Sequence, residues 1–159
     1  MAVNPQFPAG VNDNNLVDGP YAGNQVINQG DILVLSSGNL VPAALLTPDG
    51  RGNAAGNLAD QLTVAANFAG VANSRKVATD GSGTISLSLV STRYMAIAAG
   101  NYAFGCMVAA NTTGGTAAGA ISSTSVITTG NSTAAIGRIV NTPAVNATAV
   151  LVRLKSALS

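Results

Sequence analysis

The side chains that most often carry enzyme chemistry are scarce in this sequence. Its 159 residues include no histidine and a single cysteine, Cys106. Pairs of serine or cysteine with histidine are therefore excluded, and so are the common protein zinc sites. A serine–lysine pair could use Lys76 or Lys155, but nothing in the surrounding sequence prepares either lysine for that role. Cys106 lies in the apolar run of residues 102–108, which predicts a buried and inert thiol.

Glycine-containing loops are the other places where chemistry could occur. Residues 80–83, Asp-Gly-Ser-Gly, could offer oxygen ligands to Ca²⁺, but a single carboxylate supplies too little charge for a calcium site. This pattern is typical of a turn. Residues 50–52 and 81–83 are glycine-rich, yet neither continues into a phosphate-binding motif. The sequence therefore predicts a protein that is not an enzyme, with no catalytic residues, no cofactor and no metal ion.

The most regular element that could position any site is the stretch of residues 83–90. Its apolar residues Ile85, Leu87 and Leu89 alternate with Thr84, Ser86 and Ser88. Because successive side chains of a strand point to opposite faces, this alternation predicts a half-buried strand. Val90 interrupts the pattern, which indicates either a bulge or a strand that moves to another layer. The preceding residues 75–78 are expected to pair back across this strand as a hairpin.

Other short apolar runs are separated by turn residues along the whole chain. Residues 32–35 are apolar on both faces, and Pro42 in the returning run of residues 40–44 predicts an edge strand. Residues 58–66 fit a short helix and a strand equally well. Further strands are predicted at residues 67–72, 102–108, 121–128, 134–140 and 149–154. The predicted core residues are Ile32, Val34, Ile85, Leu87, Leu89, Val150 and Val152.

This pattern predicts an all-β protein with little helix, built as a compact barrel or sandwich. We place a single β-domain at residues 29–159. Residues 1–28 contain three prolines and no hydrophobic period, so they form either a disordered tail or an extended arm that lies on a partner. Phe7, Leu16 and Tyr21 are the candidate anchors of such an arm. Removing residues 1–24 is then expected to leave the β-domain intact.

Composition limits the classes of partner. Apolar residues make up 47% of the chain and aromatic residues only 4%, so a monomer would have a modest core and an assembly is favoured. The net charge of +1 argues against binding to nucleic acid. No apolar run approaches the ~20 residues of a membrane span, and no export signal precedes the domain, so we expect a soluble protein with no membrane partner.

Charge is unevenly distributed along the sequence. All six aspartates precede residue 81, whereas Arg93, Arg138, Arg153 and Lys155 follow it without an acidic residue. Two interpretations remain open. The asymmetry is either chance in a chain with only 8% charged residues, or a sign that neighbouring subunits pair acidic and basic surfaces across an interface.

The order of the apolar segments resembles that of the small β-rich decoration, or cement, proteins of tailed-bacteriophage capsids. The resemblance rests on an opening Gly-Asp strand followed by four further segments, and it covers residues 29–154. These segments are residues 30–35, 68–72, 83–87, 135–140 and 150–154.

The resemblance implies a structural virion protein on the exterior of the capsid. Such a protein is a homotrimer that binds the major capsid protein and bridges neighbouring capsomers. One alternative is a tail or fibre component. Another is a carbohydrate-binding module, although the sequence has no tryptophan to stack on a sugar ring.

Overall fold

The computed structural model describes residues 16–49, 51, 53–112 and 120–157, and strands dominate these ranges. The predicted all-β class is confirmed. In chain order the elements are β1 (Leu16–Tyr21), β2 (Ile32–Ser36), β3 (Asn39–Pro42), a 3₁₀ turn (Ala43–Leu45), α1 (Ala54–Asn67), β4 (Phe68–Ala72), β5 (Gly83–Ser88), β6 (Val90–Gly100), β7 (Met107–Thr112), β8 (Ile121–Thr128), β9 (Gly137–Ile139) and β10 (Ala147–Lys155). Within the described ranges, no helix has the length and apolar character needed to cross a membrane.

The second half of the chain closes into a five-stranded barrel in the order β10-β6-β8-β7-β9. Its longest pairing is antiparallel, between β10 and β6, whereas β6 meets β8 in parallel through Ala96 and Ser125. Val150, Val152 and Leu154 alternate along β10 and are fully buried inside the barrel. They belong to one large core that also takes in Ile32, Val34 and residues of α1.

The first half of the chain forms a five-stranded antiparallel sheet in the order β1-β5-β4-β2-β3. The sheet curls so strongly that its two edge strands approach each other, and a Cβ added at Gly19 of β1 would collide with Leu40 of β3. A second core fills the concave side. It consists of Tyr21, Ile27, Leu33, Leu40, Ala69, Ala72, Ile85 and Leu87. Pro42 lies in edge strand β3, where its missing N–H costs no ladder hydrogen bond.

Residues 58–66, which fitted helix and strand equally, lie inside helix α1. Asn53 caps the helix, because its side-chain oxygen accepts a hydrogen bond from the Gly56 N–H at 3.0 Å. Asp60 and Val64 are one helical turn apart, and both are buried. The carboxylate of Asp60 also accepts a hydrogen bond from the Asp49 N–H at 2.7 Å. The cap and the buried face together favour the helix over a strand.

The interruption at Val90 is a change of layer. Strand β5 ends at Ser88 in the curled sheet, and β6 begins at Val90 in the barrel. Leu89 between them packs, partly buried, against the second core. The backbone carbonyl of Leu89 accepts a hydrogen bond from the Ser156 N–H at 2.7 Å. The end of the barrel strand β10 is thereby tied to the point where the chain crosses from sheet to barrel.

Three of the predicted strand assignments differ from the structure. Residues 75–78 do not pair with β5, because Asp80 folds that segment into a turn by accepting a hydrogen bond from the Val77 N–H. Lys76 instead exchanges backbone hydrogen bonds with Ile27. The strand expected at residues 102–108 begins only at Met107, after a turn at residues 103–106. The strand expected at residues 134–140 is shortened to β9.

The predicted boundary at residue 28 also differs from the structure. Leu16–Tyr21 is a strand that pairs with β5 over its whole length, so residues 16–28 belong to the domain and not to an arm. Tyr21 is 1% exposed, and its hydroxyl donates a hydrogen bond to the Gln25 carbonyl at 2.6 Å. The pairing partner of β1 is β5, which lies far away in the sequence, so no local pattern predicts this strand. Phe7 and the rest of residues 1–15 lie outside the described residues.

Candidate interaction surface

One end of the barrel carries two loops that we treat together as the loop end: residues 101–106 between β6 and β7, and residues 140–146 between β9 and β10. The pairing of Gly100 with Ala147 brings the end of β6 beside the start of β10. The pairing of Met107 with Arg138 brings the start of β7 beside β9. Barrel closure therefore places both loops at the same end.

Phe104 stands at the tip of a turn that is firmly held. The turn is closed by a hydrogen bond from the Cys106 N–H to the Ala103 carbonyl at 3.3 Å, and Gly105 has a φ of 85°. That backbone conformation suits glycine, which has no Cβ. The Gly105 N–H donates to the Ile139 carbonyl at 2.8 Å. Phe104 is nevertheless 68% exposed, so this aromatic side chain projects from a braced turn into solvent.

Val145 repeats this arrangement on the neighbouring loop. It is 78% exposed and is followed by Asn146, whose φ of 56° is again left-handed. The Asn146 N–H donates a hydrogen bond to Oδ1 of Asn101 at 2.9 Å, which joins the two loops. Asn141 Oδ1 accepts from the Leu151 N–H at 3.1 Å and holds the other part of the same loop against β10.

These two turns have the physical features of a docking surface. Each exposes a large apolar side chain. The Phe104 turn is held by backbone hydrogen bonds and the Val145 turn by asparagine side chains that accept from backbone N–H groups, so little conformational entropy is lost when a partner covers them. Exposed aromatic and aliphatic side chains on a rigid frame are typical anchors of protein–protein interfaces. The loop end is therefore the best candidate for a binding surface among the described residues.

A second surface feature is a groove on the flank of the barrel, which we call the basic groove. It has a volume of about 550 Å³ and runs over β9 and β10. Arg138 and Arg153 lie directly opposite each other across these strands, and Lys155 follows on β10. Most of the other lining residues are apolar, among them Val90, Met107 and Val140. Opposed like charges destabilise a sheet, so this groove would be more stable with a negative group bound.

Arg93 is the remaining cation of the barrel half and has a structural position. Its guanidinium packs against Gly30, where any added Cβ would collide with it. Burial lowers the pKa of Arg93 below its usual value, and the negative charge of nearby Asp31 partly offsets that effect. The Arg93 Nε atom is buried without a hydrogen-bond partner among the described residues. Arg93 thus connects the barrel to the segment that leads into β2.

Two of the three candidate arm anchors lie in the described residues, at different levels of burial. Leu16 is 50% exposed on edge strand β1, Tyr21 is buried in the second core, and Phe7 lies outside the described residues. Ile32, Val34, Val150 and Val152 lie in the large core, Ile85 and Leu87 in the second, and Leu89 is partly buried against it. Across the described ranges, no cluster of three potential metal-ligating side chains occurs.

Phe104 and Val145 are the residues that reading the sequence missed. Phe104 lies inside an apolar run that predicts a strand, and Val145 lies between Pro143 and the last predicted strand. A signal was present in both cases, because Gly105 and Asn146 are residue types that favour the left-handed backbone of a turn. Here each of these two residues follows an apolar residue that the turn leaves exposed.

Comparison with protein-family models, with curated proteins and with solved structures found no match.

Proposed function

We propose that this protein is a structural virion protein that binds the outer surface of a phage capsid and stabilises it by bridging neighbouring capsomers. The observation that carries the proposal is the loop end, where Phe104 and Val145 project from two braced turns. The order of the sequence motifs, which resembles that of capsid decoration proteins, points to the same role. The partner in this proposal is the major capsid protein.

The loop end suits attachment to a preassembled protein surface. Both exposed side chains are apolar, and no aspartate lies in residues 101–106 or 140–146 to resist desolvation. Burying a Phe or a Val side chain contributes roughly 1.5–3 kcal/mol each.

The test uses undecorated capsids assembled from the major capsid protein of the same virus, with binding measured by co-sedimentation. Phe104→Ser and Val145→Ser should each weaken binding by about tenfold or more, because each removes an apolar anchor. The matched control is Val26→Ser, which changes an equally apolar side chain that is 47% exposed in the loop between β1 and β2. We expect the control to bind like the wild type.

Two results would contradict the proposal. Full binding by the Phe104→Ser/Val145→Ser double variant would remove the loop end as the attachment surface. Binding of the wild-type chain to isolated tails, or to a glycan array, without binding to capsids would favour a tail component or a carbohydrate-binding module instead.

A further inference from the structure

The two halves of the chain carry opposite net charge. In residues 1–80, six aspartates against three cations give −3, whereas residues 81–159 hold four cations and no acidic residue and so carry +4. In the fold, these halves are largely the curled sheet and the barrel. The net charge therefore has opposite sign in the two halves of the chain.

The basic charge is concentrated where it can be reached. Of the four barrel cations, Arg93 packs against Gly30, while Arg138, Arg153 and Lys155 all line the basic groove. Arg138 donates one hydrogen bond, from Nη1 to the Gly105 carbonyl at 2.9 Å. Within the described part of the chain, neither Arg153 nor Lys155 forms an ion pair.

Most of the aspartates, in contrast, already have hydrogen-bond or ion-pair partners within the molecule. Asp31, Asp60 and Asp80 each accept a hydrogen bond from a backbone N–H. Asp49 forms an ion pair with Arg51 at 2.6 Å.

Asp18 is different, because it is exposed on edge strand β1 and has no hydrogen bond or ion pair to other described residues. It lines a hollow of about 280 Å³ together with Leu16, Val17 and Ser86. Leu16 is 50% exposed and Val17 is 40% exposed. Because side chains alternate along a strand, Leu16 and Asp18 lie on one face of β1, and Val17 lies on the face of Tyr21. This edge therefore presents an exposed carboxylate beside the apolar side chain of Leu16.

We infer that the Leu16–Asp18 edge of one copy docks into the basic groove of a second copy. The two surfaces match in charge, since the exposed carboxylate of Asp18 meets a cluster of three cations. They also match in apolar character, since Leu16, on the same face of β1 as Asp18, would cover the groove residues Val90, Met107 and Val140. Asp18 would relieve the repulsion between Arg138 and Arg153, which face each other with no acidic residue between them.

This contact is head to tail, because it joins two different surfaces of the same chain. Such a contact leaves one edge and one groove free on each pair, so it continues until a ring closes or a filament grows. The contact uses neither Phe104 nor Val145. Self-association and attachment to a capsid are therefore separate properties. A result that contradicts one of the two proposals does not contradict the other.

The experiment is a charge exchange on the full chain, followed by sedimentation equilibrium without capsids. The wild type should self-associate at about 100 µM, and less strongly at high salt. Asp18→Arg and Arg153→Asp should each weaken association by about tenfold or more, and the double variant carrying both should recover most of it. Thr124→Asp, an exposed position on strand β8, is the control and should associate like the wild type. Circular dichroism shows that each variant is folded.

Three outcomes would overturn the inference. The first is a wild-type chain that stays monomeric in this experiment. The second is association that neither charge reversal affects. The third is a double variant no better than the single variants although it is folded, since restored pairing is the specific signature of the contact. Retention of a monomeric wild type on a heparin column, lost in Arg153→Asp, would assign the groove to a free polyanion instead.

Discussion

Asn101 and Asn146 are 45 residues apart, yet Oδ1 of Asn101 accepts the backbone N–H of Asn146 at 2.9 Å. This hydrogen bond holds the turn of Val145 to the loop of Phe104. Asn101→Ala should lower the unfolding free energy by about 0.5–1.5 kcal/mol and weaken capsid binding, because the Val145 turn loses its support. Asn101→Asp, which keeps the accepting oxygen, should lose less unfolding free energy than Asn101→Ala. Equal losses in the two variants would show that this hydrogen bond does not hold the loop end.

Leu87 is expected to be one of the most sensitive positions of the second core. It is 2% exposed, and its side chain occupies the space next to Gly19 and Gly70 where a larger residue would carry a Cβ. Leu87→Ala should cost ~2–5 kcal/mol of stability, because it leaves a cavity between strands that cannot easily collapse. Thr84→Ala, on the exposed part of the same strand, should cost less than about 1 kcal/mol. Urea denaturation measures both, and similar losses would refute this packing.

Gly70 should tolerate no side chain. Its φ of 154° lies outside the range that other residues favour, and a Cβ there would collide with the Ser88 carbonyl oxygen of the neighbouring strand. Gly70→Ala is expected to destabilise the protein by ~3 kcal/mol or more, since the obstacle is backbone and cannot rotate away. Gly81→Ala is the control, because nothing lies within 4 Å of the added Cβ. Thermal unfolding of the two variants distinguishes them.

The reassignment of residues 16–28 gives a truncation experiment. Removing residues 1–15 keeps every strand described here, so we expect little change in the melting temperature. Removing residues 1–24 also deletes β1 and Tyr21, which opens the second core and should cost roughly 3–5 kcal/mol. Calorimetry on both truncated chains measures the difference. Equal melting temperatures would mean that β1 contributes nothing to the fold, as the sequence alone had suggested.

The charge of Arg93 is expected to oppose folding, because its guanidinium is partly buried. Since burial lowers the pKa of Arg93, its charged form is less favourable in the folded than in the unfolded protein. Arg93→Met should therefore leave stability unchanged or raise it. Asp31→Asn should cost about 1–3 kcal/mol in the wild type, but less in the Arg93→Met background, where no guanidinium needs its charge. Equal costs in both backgrounds would show that the two charges do not interact.

The sequence predicted the parts of this fold that local periodicity controls. Ile85 and Leu87 alternate with hydroxyl residues, and Val150, Val152 and Leu154 follow the same two-residue period, so these strands and their buried faces could be read directly. The two-residue turn that joins β2 to β3 has positive φ at both Ser37 and Gly38, and glycine is typical of such turns.

What the sequence could not predict depends on distant partners. Leu16–Tyr21 forms strand β1 because it pairs with the edge of β5, nearly 70 residues later in the chain. Nothing in the sequence of Leu16–Tyr21 predicts this pairing. The loop end was missed for the same reason. The loops of Phe104 and Val145 lie at the same end only because the barrel closes. The hydrogen bond between Asn101 and Asn146 connects residues that no sequence pattern relates.

The layer change at Leu89 has a mechanical consequence. Strand β6 runs from this crossing to Gly100, immediately before the Phe104 loop, and β10 lies antiparallel to it from Ala147 to Lys155. A pull applied at the loop end along β6 acts parallel to both strands, so their ladder of hydrogen bonds resists in shear and shares the load. At the far end, the Ser156–Leu89 hydrogen bond and the covalent run into β5 pass the tension to the curled sheet. The barrel thus transmits tension between the loop end and the curled sheet.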